Sequence, residues 1–184
     1  LAVMHASEAL QKTGPTRAKG APYLSINLTA LNFLDTSIGQ RLLALPERAR
    51  RRIVLELTEW KDPRLFAGLP QAIAALQAHG IRVAIDDFGA GYSGLNLLAE
   101  FQPDIIKLDM EMVRDIDRDP VRQAIVKGIL GVCIALNIEV IAEGIESLAE
   151  LRLLQSLGIN LFQGYLFAKP GFEHLPEINW PTDA

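Results

Sequence analysis

The chain has 184 residues, 49% hydrophobic and 22% charged, enough apolar material for one compact domain with a substantial core and not the makeup of a disordered tail. A net charge of −4 excludes a broad basic face for polymeric nucleic acid, which needs clustered Lys and Arg to displace counterions. The single cysteine excludes an internal disulfide, and the longest apolar run, Gly128 to Leu136, is far below the roughly 18 residues of a membrane span, so the expectation is a soluble cytoplasmic domain without membrane contact.

In chain order, the first segment reads as an amphipathic helix, with Leu1, Met4 and Ala9 or Leu10 at helical spacing. The first predicted strand is Tyr23 to Leu28, followed by a helix over Thr36 to Arg51. A strand over Arg52 to Leu57 and a helix over Leu65 to His79 come next, then a strand over Ile81 to Asp86 and a helix over Ser93 to Phe101. Strand Asp104 to Asp109 precedes helix Pro120 to Leu136, which places Cys133 at a buried helical position. Strand Ile138 to Glu143, helix Ser147 to Leu157 and strand Ile159 to Gly164 complete the series. His79-Gly80 and Leu157-Gly158 put a glycine between helix and strand, so the order is βα repetition and the sheet is expected to be parallel. Six such units fit either an open doubly wound sheet or a (β/α)₈ barrel two strands short.

The strand ends favour the barrel. Asn27, Glu56, Asp86 and Asp87, Lys107 and Asp109, Glu143, and Gln163 stand near the C-terminal ends of successive strands, whereas an open sheet concentrates chemistry at one switch point. Alternation along Asp104 to Asp109 points Lys107 and Asp109 the same way. Any one of these residues alone reads as the cap of the next helix or as a turn residue, and Asp104, after Gln102-Pro103, is assigned only to its turn. Together they form a set of carboxylates that is costly to bury without cations. Oxygen ligands without Cys or His favour Mg²⁺ or Mn²⁺, and adjacent Asp86 and Asp87 can serve two ions about 3.5–4 Å apart. His5, His79 and His174 are scattered and support neither a histidine metal site nor a Ser-His-Asp triad.

One stretch has a competing meaning. Gly89-Ala90-Gly91-Tyr92-Ser93-Gly94 spells GxGxxG between a strand and a helix, with Asp109 twenty residues after Gly89, as in a dinucleotide site. Asp86 and Asp87 immediately before it would repel a pyrophosphate, so the acids are preferred over the amides as the functional groups.

The segments SINLTA, ELTE, DDFGAGYSGL, IKLD, AEGIES and QGYLFAKP, from about Pro22 to Pro170, resemble in order and spacing the EAL domain, the bacterial cyclic di-GMP phosphodiesterase domain. The resemblance implies a (β/α)₈ TIM-type barrel with its first two strands missing from this chain, and residues 1–184 as a single partial domain. It further implies Mg²⁺- or Mn²⁺-dependent hydrolysis of cyclic di-GMP to the linear dinucleotide, with Asn27, Glu56, Asp86, Asp87, Glu143 and also Asp109 as the metal set. Lys107, Glu143 and Gln163 are implied around the attacking water, Glu59 as the anchor of the loop containing Phe88, Gly89, Gly91, Tyr92 and Ser93, and Glu146 as support behind the site. That loop would carry a regulatory signal to a partner subunit, giving a homodimer, with sensory or cyclase domains attached.

The resemblance is incomplete. Glu8-Ala9-Leu10 lies in the helix ahead of SINLTA, and Gln11 and Lys12 follow it where the family has an arginine, so it is not the signature triplet. A fragment of an intact domain is expected, since the remaining ligand positions are of the right type. The alternatives are a domain that binds cyclic di-GMP or a protein without turnover, and a dinucleotide-dependent oxidoreductase.

Overall fold

The computed structural model describes residues 23–58, 67–90, 94–171 and 176–181. Glu59, Gly91, Tyr92, Ser93, His5, His174 and the triplet Glu8-Ala9-Leu10 lie outside the described residues. All six predicted strands are present: β1 (Leu24–Thr29), β2 (Ile53–Thr58), β3 (Arg82–Phe88), β4 (Ile105–Leu108), β5 (Glu139–Ala142) and β6 (Leu161–Phe162). They follow chain order in one sheet, and β1 with β2, β2 with β3, β4 with β5 and β5 with β6 pair in parallel. The helices are α1 (Ala30–Leu34), α2 (Thr36–Leu43), α3 (Glu47–Arg50), α4 (Leu69–Ala78), α5 (Gly94–Phe101), α6 (Met110–Val113), α7 (Pro120–Leu136) and α8 (Leu148–Ser156). Among the described residues no helix is long and apolar enough to cross a membrane.

The chain forms two compact units, one of them comprising the described residues within Leu1–Ile85 together with Leu95–Asp104. Its central strand β2 is buried at every position from Ile53 to Leu57, the pattern of a parallel strand covered on both faces. Register sets Asn27 opposite Glu56, and Glu56 opposite Ala84. The predicted helix over Thr36 to Arg51 is two helices, because Pro46 lacks the N–H that would continue the ladder and biases Leu45 away from helical dihedrals. Arg50 closes the break: Nη1 donates to Leu43 O at 3.0 Å and Leu45 O at 2.7 Å, and Nε to His79 O at 3.1 Å. Helix α4 begins at Leu69, with Pro70 in its first turn, and the predicted start at Leu65 lies outside the described residues. Asp104 does more than turn the chain: its Oδ2 accepts from Val83 N at 2.8 Å and from Gln77 Nε2 at 3.0 Å.

The other unit comprises Asp86–Gly94 and the described residues within Ile105–Ala184. Helix α7 has the predicted bounds, with Asp119 accepting from Val121 N and Arg122 N at one end and left-handed Asn137 (φ 56°) at the other. Cys133 is fully buried, and burial pushes its thiol up to about 11. A 3₁₀ turn, Ile116–Arg118, packs against both α7 and α8, with Ile116 at its buried face. The last strand is shorter than expected because the chain turns after Phe162 and Gln163 O accepts from Ile145 N at 3.1 Å.

A candidate metal centre

The site grows from main-chain bonds at the C-terminal ends of β3 to β6. Asp109 N donates to Phe88 O, Glu143 N to Leu108 O and Gln163 N to Ala142 O, at 3.1, 3.2 and 2.9 Å, so each functional residue follows the strand beside its neighbour. Lys107, only 5% exposed, extends its ammonium between two carboxylates and lies 2.8 Å from both Asp86 Oδ1 and Glu143 Oε1. Asp86, Asp87 and Glu143 each offer an oxygen within 4.8 Å of the others. Opposed ligands on a hard cation stand about 4–5 Å apart, twice the usual metal–oxygen distance, so this trio fits one divalent ion.

Asp87 has left-handed dihedrals (φ 50°), which aspartate tolerates better than most residues. Its carboxyl is held above the ordinary aspartate range, first by desolvation and then by the charges of Asp86 and Asp109, with Lys107 opposing. An added cation would relieve that excess of negative charge. Asp109, 8% exposed, accepts at Oδ1 from Glu111 N at 2.7 Å and so caps α6. Asp87, Asp109, Glu143, Glu146, Gln163 and Tyr165 line a cleft of about 270 Å³.

Glu146 pairs with Arg114 at 2.7 Å. Asn27 and Glu56 stand side by side in the other unit, with Glu56 6% exposed. The glycine fingerprint has a packing explanation at its first position: Gly89 has φ 108°, and a Cβ there would meet Met112 Cγ at 2.8 Å. Gly144 is constrained in the same way, with φ 68° and Met110 Cβ 2.5 Å from where its own Cβ would be.

Sequence reasoning assigned no role to Tyr165, whose exposed ring borders the cleft with Lys169 Nζ 5.6 Å from its centroid. It also passed over Glu150, although Ser147-Leu148-Ala149-Glu150 spells a capping box.

Parallel strands carrying an acid-rich cleft at their C-terminal ends define a barrel-type α/β protein with a carboxylate cluster of the kind that could hold a metal ion. The family model described as the EAL domain matches residues 1–170, and the chain belongs to that family. It is 40% identical over 171 residues to the blue light- and temperature-regulated antirepressor BluF of Escherichia coli, covering 88% of this chain and 41% of that protein. It is 41% identical over 153 residues to the cyclic di-GMP phosphodiesterase PdeR of the same organism, covering 80% and 23%. The chain thus spans less than half the length of these relatives.

Among solved structures, the BlrP1 complex with calcium and cyclic di-GMP from Klebsiella pneumoniae matches with TM-score 0.77 and 38% identity over 96% of this chain and 44% of that one. A standalone EAL protein from Vibrio cholerae with cyclic di-GMP bound matches with TM-score 0.74 and 37% identity over 97% and 73%. The fold is therefore the TIM-type barrel of the EAL kind, with six strands described here.

Proposed function

We propose that this chain is the hydrolytic domain of a cyclic di-GMP phosphodiesterase that produces the linear dinucleotide pGpG. The observation that carries the reading is the trio Asp86, Asp87 and Glu143 gathered around Lys107 in a chain of the EAL family. Asp86, Asp87 and Glu143 would hold one divalent cation, Mg²⁺ or Mn²⁺, and the family's pattern has a second. The cations would supply charge neutralisation at the phosphodiester and lower the pKa of a bound water.

The chain's own residues then orient and hold. Lys107, fixed between Asp86 and Glu143, presents its N–H groups to an attacking water and keeps both carboxylates in place. Gln163, at the cleft wall, adds a polar contact to that water. Asp109, held by its cap, sets the negative field beside Asp87. Asn27 and Glu56 are proposed as further ligands, and Glu59, Phe88, Gly89, Gly91, Tyr92 and Ser93 as the regulatory loop and its anchor, on the match of SINLTA, ELTE and DDFGAGYSGL to the family. Partners in this reading are cyclic di-GMP, a second copy of the chain, and attached sensory or cyclase domains.

The test is cyclic di-GMP turnover by the full-length protein with Mn²⁺ and with chelator, the product identified by mass spectrometry. Linear pGpG formed only with metal supports the proposal. Retention of cyclic di-GMP without turnover would instead favour a second reading, a receptor, which the likeness to an antirepressor also suggests.

A further inference from the structure

Glu150 is 5% exposed, and none of the hydrogen bonds described for it reaches Asp86, Asp87, Lys107 or Glu143. Its Oε1 accepts from Asp115 N at 3.0 Å; its Oε2 accepts from Glu146 N at 3.1 Å and Ser147 N at 2.9 Å. The two backbone segments it joins both begin at the metal centre. One runs from Asp109 through α6 to Asp115, whose N–H donates to Glu150. The other runs from Glu143 through Gly144, packed on Met110, to Ser147. The Arg114–Glu146 ion pair crosses between the same segments at 2.7 Å but is about half exposed, and exposed pairs hold weakly.

We infer that Glu150 is a positioning residue: one buried carboxylate clamps the far ends of the segments that start at Asp109 and Glu143, and so fixes the spacing of the site's acids. The inference rests on the reading of the acid trio as a cation site. A capping role alone would end with the Ser147–Glu150 box at the start of α8; the bond to Asp115 has no part in that cap. Glutamine at 150 has one carbonyl oxygen and an NH₂ group in place of two acceptor oxygens, so it can serve one segment and must abandon the other.

The experiment compares full-length wild type, Glu150→Gln, Glu150→Asp and Ser147→Ala for Mn²⁺ binding by calorimetry and for backbone hydrogen exchange. Ser147→Ala removes the hydroxyl that accepts from Glu150 N but leaves the three backbone N–H donors of the clamp. Glu150→Gln is expected to lose about 10–100-fold in Mn²⁺ affinity, as loss of supporting groups around a metal does, with Ser147→Ala within about twofold of wild type. Faster exchange should appear in both 109–115 and 143–147. Glu150→Asp keeps the charge but is one methylene too short to span both segments, and it carries the test if glutamine prevents folding.

Wild-type Mn²⁺ affinity in both Glu150 variants, or equal losses in Ser147→Ala, would overturn the inference. If wild type itself binds no Mn²⁺, the cation reading fails, and exchange still decides the clamp: acceleration in both segments supports it, and acceleration confined to 146–147 overturns it.

Discussion

Lys107 donates to Asp86 and Glu143 from a position with 6% side-chain exposure, and neither carboxylate exceeds 14%. Removing the ammonium takes the Lys107 charge from between two acids. Lys107→Met in chelator is therefore expected to lose about 3–5 kcal/mol in a urea titration, the usual cost of stripping one partner from a buried ion pair. Saturating Mn²⁺ should return part of that loss; a variant as stable as wild type in chelator would show that Lys107 does not hold these acids. Asp87 predicts the opposite sign. Its carboxyl is pushed up by desolvation and by Asp86 and Asp109, so its charged form is disfavoured in the folded protein. Asp87→Asn should raise the chelator Tm and abolish the stabilisation that Mn²⁺ gives wild type.

At the scale of elements, the loops after the strands are held by a few directional bonds. Glu150 is desolvated, which acts to raise its pKa, but the N–H groups of Asp115, Glu146 and Ser147, together with the Ser147 hydroxyl, outweigh that and hold it below the ordinary glutamate value. A depressed carboxylate contributes stability that is fully present above its unfolded pKa of about 4.3 and is lost as pH falls through the lower folded value. Wild type should consequently lose stability across that acid window more steeply than Glu150→Gln, read from Tm against pH. Parallel slopes would mean that the three N–H bonds do not favour the ionised form. In the other unit, Arg50→Ala strips donors from Leu43 O, Leu45 O and His79 O and is expected to cost about 1–3 kcal/mol, with Arg50→Lys recovering only part because an ammonium lacks the planar fork.

For the whole molecule, the family correspondence makes a demand on residues that no hydrogen bond described here assigns to chemistry. Glu56→Gln in the full-length protein should abolish metal-dependent hydrolysis while leaving the circular dichroism spectrum unchanged. Near-normal turnover would remove Glu56 from the proposed ligand set.

Six strands with helices between them, the parallel sheet and the strand-end acids were legible in the amino-acid order, because strand alternation, glycine after a helix and clusters of β-branched residues are local signals. Helices α1 and α6 were not anticipated, since four or five residues are too few to show a period and only their caps, Thr29 and Asp109, mark them. The sequence by itself determined the family and the candidate acids, because their spacing in DDFGAGYSGL, IKLD and AEGIES is written in the chain. Only the tertiary structure decided that Lys107 sits between Asp86 and Glu143, that Asp109 spends an oxygen on a cap, and that Glu150 ties two distant segments. The Lys107 and Glu150 contacts are choices of partner among groups 21 to 36 residues apart, and hydrogen bonds across such distances are set by how strands and loops pack rather than by any local pattern.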